Sequence, residues 1–475
     1  MSYERADLRS FLAETDAAGL TLYIDKPVDV ASQIAALCSQ TKRPTMFRNL
    51  KGFEDFRVVD GLTRFRETQA IAMGLEPGDP SKVMSGYLEK LARGPGPTET
   101  INDAPIKQIV WTGDEVDLTR LPVPIPTEGV DMPHLEISAA DFLTPIISGG
   151  MGVTKHPDGK QNTFFTMAKI VDKQRIQFFM LPSHTAANVE AWGERGERCP
   201  MALVIGCHPL YEMGASFTGP HDEYSELNII AGLFGKPIPT TKAETLDLEI
   251  PALAEIVIEG FIDPNKARYL HASSHSDSYA PIFSQEPFFD VTAITMRENP
   301  IYRHIQPNKW TEHHSLSELI VGTNLLSFLR NENLPVKDIH MPLQSCANCA
   351  IIQMTPNSED DVKTAMQIGL NCPMMPRLTI IVDEDVDIYD MNDVLFALSV
   401  RSKGKFGLAT LEGVMGMPEP LTTLINSRDD IQPLANNRWA VDATKPPLNQ
   451  PNQRLEHTRL TPRGEPGVQL ADFLN

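Results

Sequence analysis

Cysteine is scarce, with six in 475 residues. So few in so long a chain do not build a disulfide framework. Cys346 and Cys349 form a lone C-x-x-C without the second ligand pair that a zinc ribbon needs, so structural thiols are expected. Basic residues are also short, with 42 Lys and Arg against 62 Asp and Glu and a formal net charge of −20. That balance excludes a nucleic-acid scaffold, because a phosphate backbone is met by a basic face. No apolar run reaches the roughly 18 residues that cross a bilayer. Charged residues interrupt each apolar stretch between Tyr3 and Asp29, so no signal peptide is read there. A cytoplasmic protein that binds neither nucleic acid nor membrane is expected. Hydrophobic residues at 41% and charged ones at 22% are ordinary for folded domains, and the length suits two or three of them.

Leu8, Phe11 and Leu12 recur at helical spacing, and TLYIDKPV then alternates as a strand. Further alternation up to Leu91 predicts an α/β unit. The proline-rich passage from Gly94 to Gly129 (GPGPTE, LPVPIPTEG) reads as a connector, since proline removes ladder donors. Short strand-like stretches then follow closely: PIISGGMGVTK, NTFFTMAKIV, IQFFML, ALVIG, AEIVIEG and DVTAITM. They predict a β-rich middle domain with helices inserted at VEAWGERGE and EYSELNIIAGLFG. From Ser315 the pattern is an apolar helix (SLSELIVGTNLLSFL), then strand, helix, strand, helix, which predicts a second α/β domain with an extended tail. The expected domains are 1–105, 106–312 and 313–475.

In the middle domain Asn162 opens a strand, His184 starts a helix and Glu226 lies on the next helix. Amide oxygen, imidazole and carboxylate together suit Mn²⁺ or Mg²⁺ better than a soft ion. Spacing alone does not make them a site, and a helix-start histidine with a solvated carboxylate is the plainer alternative.

The stretches KAETLDLEIPALAEIVIEG (Lys242–Gly260), DVTAITMRENPIY (Asp290–Tyr302) and IIVDEDVDIYDMNDVLFAL (Ile380–Leu398) resemble the UbiD family of reversible decarboxylases, as do DLRSFL near the start and HPDGKQN ending at Asn162. The resemblance implies a split β-barrel (flavin-reductase-like) cofactor domain, flanked by an N-terminal α/β domain and a C-terminal α/β oligomerisation domain. It implies prenylated FMN, made by a flavin prenyltransferase partner, whose phosphate is bridged to the protein by Mn²⁺ (or Mg²⁺) with K⁺ nearby. The family's metal ligands fall on Asn162, His184 and Glu226; ungapped alignment through SELNIIAGLFG selects Glu226 over Glu223. Ser148 and Ser216 fall where the family sets small residues against the cofactor. A metal between phosphate and protein is physically sensible in so acidic a chain. The implied reaction exchanges CO₂ with an aromatic or conjugated acid, in a homodimer or larger homo-oligomer.

The chain departs from the family at the catalytic set. The arginine expected five residues after the metal-binding asparagine is Met167, and the E-G-P-x-G-E motif is replaced by ARYLHASSHSDSYA (Ala267–Ala280). Two readings follow. In one, His271, His275 and Asp277 of that loop supply acid–base chemistry, and Lys169, on the face of Met167 by strand alternation, supplies the cation. In the other, the chain is a subunit of a larger carboxylase, similar to phenylphosphate carboxylase subunits. Ser-rich turn capping is the plain alternative for the two histidines, and a solvated strand position for Lys169. Glu312 and His314 read as caps of the following helix, and Asp383, Glu384, Asp385 and Asp387 as a solvated acidic strand end. A metal hydrolase has no nucleophile motif to support it.

Overall fold

The computed structural model describes residues 5–133, 136–180, 184–217, 225–270, 283–307, 311–372, 376–415 and 435–445, with short stretches between 454 and 473. At the N-terminus the expected helical spacing forms α1 (Leu8–Ala17), which buries Leu8, Phe11 and Leu12. Asp7 caps it by accepting from Ser10 N at 2.8 Å. Strands β1 (Leu22–Ile24), β2 (Thr45–Phe47) and β3 (Arg57–Asp60) follow, with α2 (Ile34–Cys38), α3 (Arg66–Ala72) and α4 (Lys82–Leu91). The fourth strand of this sheet arrives from far downstream: β14 (Ile301–Arg303) pairs parallel with β3.

The middle of the chain contributes β4 (Thr98–Thr100), β5 (Ile109–Thr112), β6 (Ile146–Lys155), β7 (Gln161–Ile170), β8 (Arg175–Phe178), α5 (His184–Glu194), β9 (Cys199–Ile205), α6 (Pro209–Ala215), α7 (Glu226–Phe234), β10 (Ile238–Lys242), β11 (Glu249–Pro251), β12 (Ile256–Leu270) and β13 (Phe283–Met296). Six of these close into an antiparallel barrel in the order β12, β9, β6, β7, β8, β13, with β13 returning to β12 and β5 added beside β13. Alternation sorts the side chains. Ile147, Ala168, Ile176, Phe178, Leu203, Ile258 and Phe289 fill the interior, whereas Met151, Val153, Ala202 and Val204 pack outside it against Tyr211, Leu227 and Ile230 of α6 and α7. Closure depends on a bulge at Glu259/Gly260, where a Cβ on Gly260 would lie 2.0 Å from Asp290 O.

Beyond the barrel lie α8 (Glu312–Asn331), β15 (Val336–His340), β16 (Cys349–Met354), α9 (Glu359–Asn371), β17 (Leu378–Asp383), α10 (Met391–Arg401), β18 (Leu408–Met415) and β19 (Ala435–Asp442). The sheet order is β15, β16, β17, β19, β18, parallel at its centre and antiparallel at both edges. Both faces are covered, so the central strands read as unbroken apolar runs. Ile352 and Ile381 face α8 and α9, and Ile351, Ile380 and Val382 face Val394 and Ala397 of α10. Leu319, Leu325 and Leu329 of α8 share one core with Phe11, Val59 and Tyr87 of the N-terminal unit. The apolar helix thus joins the first and last domains.

Two local expectations are corrected. Thr311, not Glu312, caps α8. Glu312 is fully buried and accepts from Gly61 N, Thr63 N and Arg303, because the N-terminal unit folds back onto the helix start. Nor is the acidic strand end solvated at Asp383, which is fully buried and holds Lys445 N and Arg454, while Asp385 pairs with Arg401. Five of the six cysteines are buried. Among the described residues no helix is long and apolar enough to cross a membrane.

Candidate active site

The site is built on the outer face of β7. Because Phe164 and Ala168 pack toward the barrel core, the alternate residues Thr163, Phe165, Met167 and Lys169 project outward. At the start of the strand, Asn162 is buried and donates from Nδ2 to Thr185 Oγ1 at 2.8 Å. Thr185 directly follows His184, so that bond draws the first turn of α5 to the strand. The next amide, Thr163 N, donates to Glu226 Oε2 at 2.6 Å, and Glu226 is the buried first residue of α7. Two bonds at adjacent residues therefore bring Asn162, His184 and Glu226 to one end of β7. His184 itself is exposed.

These three residues fit a divalent cation that bridges to an anion. Asn162 turns its nitrogen to Thr185, and its amide oxygen, the Glu226 carboxylate and the His184 imidazole are together an oxygen-rich donor set suited to a hard or borderline ion. Both α5 and α7 begin here, so their positive ends favour a phosphate. A buried carboxylate and a phosphate repel one another unless a cation lies between them.

Behind this face the support is polar. Ser148 is fully buried; its hydroxyl bonds His304 Nδ1 at 3.1 Å and accepts from Ile305 N at 3.1 Å. Its carbonyl lies 3.1 Å from His313 Nε2, and the His313 ring packs edge-on to Phe165 at 5.4 Å. Burial lowers the His304 pKa, so its ring is neutral. Ser216 caps α6 and donates to Glu212 O at 2.9 Å. The buried Arg303 is bonded to both Glu212 and Glu312. Burial pushes the Glu312 carboxyl up, but Arg303 and the Thr63 amide outweigh it and hold Glu312 ionised.

Farther along β7, Met167 packs with Ile137, Phe142 and Ile146. Lys169 is half-buried, and desolvation lowers its pKa against the opposing pull of Asp141. His271, His275 and Asp277 lie outside the described residues. Glu286 on β13 was not singled out from sequence. It is 3% exposed, accepts from Ser284 Oγ at 2.6 Å and Met180 N at 2.9 Å, and burial pushes its carboxyl up to about 7. Period-2 alternation could have put Glu286 on the same outer face as Phe288, but alternation does not say that this position is buried.

Three family models match the chain, all of 3-octaprenyl-4-hydroxybenzoate carboxy-lyase: the N-terminal domain over residues 12–85, the Rift-related domain over 99–310 and the C-terminal domain over 314–426. Among solved structures, the UbiD-class enzyme HmfF from Pelotomaculum thermopropionicum in complex with FMN is similar at 26% identity and a TM-score of 0.87, over 98% of this chain and 100% of that one. An evolved dimeric form of HmfF in complex with prFMN matches at 26% identity and a TM-score of 0.83, over 98% and 100% of the two chains. The apo 3,4-dihydroxybenzoic acid decarboxylase (AroY) of Klebsiella pneumoniae shares the fold at 21% identity and a TM-score of 0.84, over 98% and 99%.

Proposed function

The chain belongs to the UbiD family, whose three domain models together span most of its length, and from that premise we propose that it is a carboxy-lyase exchanging CO₂ with an aromatic or conjugated acid by means of prenylated FMN. The observation that supports the reading is the pair of bonds, Asn162 to Thr185 and Thr163 to Glu226, that ties the starts of two helices to one end of β7. HmfF in complex with FMN and with prFMN supports it.

Asn162, His184 and Glu226 would hold Mn²⁺ or Mg²⁺, with K⁺ nearby, and the metal would hold the flavin phosphate. Bound there, the prenylated flavin supplies the electron sink for the charge that CO₂ leaves on carbon, which no side chain can delocalise. The chain's own residues bind, exclude water and move the proton. Phe165 and Met167 present apolar surface along β7, and Ser148 sets the strand against His304 and His313. Ser216 borders the same cofactor space in this reading. Lys169, desolvated beside Asp141, offers a cation for the acid substrate in place of the absent arginine, and His271, His275 and Asp277 are retained as acid–base candidates. A flavin prenyltransferase would supply the cofactor, and the C-terminal α/β unit would carry homo-oligomer contacts. The proposed domains are 1–105, 106–312 and 313–475.

Met167 favours a second reading, a cofactor-binding subunit of a multi-subunit carboxylase, because a thioether packed on Ile137, Phe142 and Ile146 can clamp no carboxylate. Exchange of labelled bicarbonate into candidate aromatic acids separates the two. Exchange by the purified, flavin-loaded chain alone is expected; exchange only after other subunits are added would overturn the first reading in favour of the second.

A further inference from the structure

We propose that Glu286 is the catalytic acid of this chain, giving its proton to the carbon that CO₂ has left and reclaiming it in the carboxylation direction. The proposal rests on the carboxy-lyase reading above and names a residue for the role that Met167 and the glutamate-free segment Ala267–Ala280 leave open.

The geometry ties Glu286 to the centre of β7. Met167 O accepts from Phe179 N at 3.1 Å, and the very next amide, Met180 N, donates to Glu286 Oε2 at 2.9 Å. The carboxyl is therefore anchored one residue from the partner of Met167, the position where the family has its arginine. Register gives the same placement. Lys169 pairs with Gln177 across β7 and β8, Gln177 pairs with Phe288 across β8 and β13, and Glu286 lies two residues from Phe288 on the same face.

Burial, not its polar partners, holds the acid form. Ser284 Oγ donates to Oε1; Tyr269 and Lys266 approach from β12. Burial is the leading influence, and it prevails over Ser284, the Met180 amide and Lys266. Tyr269 is itself kept protonated by burial. Among the described residues, Glu226 is engaged at the proposed cation-binding end and Glu312 with Glu212 on Arg303. A carboxylic acid kept neutral near pH 7 in an apolar site is what proton delivery to a carbanion-like carbon requires. In the step a C–H bond forms as the Glu286 O–H breaks. The substrate carboxylate leaves as CO₂, and the glutamate, now carrying that negative charge, regains a proton from solvent.

The test compares wild type, Glu286→Gln and Glu286→Asp. In the cofactor-free protein, infrared titration is expected to show a carboxyl that loses its proton near pH 7 and is missing from E286Q. In flavin-loaded protein, E286Q is expected to keep flavin and metal while decarboxylation falls about 10²–10⁴-fold. E286D, which keeps an acid, is expected to retain activity with a shifted pH profile, and it serves if E286Q fails to take up flavin. Loss of the E286D activity with its carboxyl still titrating, ionisation of Glu286 already at pH 5, or E286Q within tenfold of an active wild type overturns the proposal. A wild type that titrates as expected but exchanges no CO₂ with any acid overturns the carboxy-lyase reading instead, and the proposal with it.

Discussion

Thr185→Val isolates the contribution of a residue that touches no cation itself. Thr185 is fully buried, and its hydroxyl accepts from Asn162 Nδ2 at 2.8 Å. Valine keeps the shape and removes the acceptor, so the buried amide nitrogen is left without that partner at a cost of about 1–3 kcal/mol. The loss falls on the orientation of Asn162, whose oxygen is the proposed ligand. Partners of this kind are worth about 10–100-fold in metal affinity, or about 1.4–2.7 kcal/mol, so the two routes to the magnitude agree. Mn²⁺ titrated into metal-free protein, with free ion followed by electron paramagnetic resonance, measures it directly. T185V is expected to weaken binding by 10–100-fold and Thr185→Ser, which keeps the hydroxyl, to restore most of it. Mn²⁺ affinity within twofold of wild type in T185V would refute the reasoning, because Asn162 would then not depend on Thr185 for its placement.

Glu286→Gln also bears on stability. A carboxyl raised from 4.5 to about 7 in the folded state costs nothing below pH 4.5, costs progressively more between 4.5 and 7, and above pH 7 costs roughly 3 kcal/mol, less whatever solvent screens. Wild type therefore loses stability as pH rises through that window; E286Q should match its Tm at pH 4 and exceed it at pH 8, and equal offsets at both pH values would count against a buried neutral acid. Glu312→Gln removes one carboxylate from Arg303 while Glu212 remains; a loss on the order of 3 kcal/mol is expected, seen as a lower urea midpoint and faster proteolysis of the N-terminal unit, and an unchanged midpoint would contradict the network. Arg454→Ala leaves the buried Asp383 with less compensation. Faster cleavage of residues beyond 445 is expected, and wild-type cleavage rates would show that this pair does not hold the tail.

Local pattern carried much of the fold. The alternation in NTFFTMAKIV anticipated β7, and the spacing of Leu8, Phe11 and Leu12 anticipated the buried face of α1. Partners distant in sequence were not legible. Glu312 read as a helix cap because Gly61 and Thr63 lie about 250 residues away, and Asp383 read as solvated because Lys445 and Arg454 lie 62 and 71 residues downstream. The strand Ile301–Arg303 joins the N-terminal sheet for a similar reason: its partner β3 was formed some 240 residues earlier. At the candidate site, Asn162, His184 and Glu226 were singled out through family resemblance, since residues scattered over 65 positions carry no local signal. Glu286 was missed because alternation assigns a face without saying whether that face is covered. The contacts from Met180 and Ser284 show that this position is covered.

Asn162, His184 and Glu226 are proposed to hold a metal that in turn holds a flavin phosphate. Co-expression with a flavin prenyltransferase, anaerobic purification, and quantitation of flavin and manganese per chain test it most directly. Near-stoichiometric flavin and metal in wild type, with both lost together in Glu226→Gln, is the predicted result. A chain that retains no flavin, or a Glu226→Gln variant that retains flavin and metal at the wild-type level, would contradict the account.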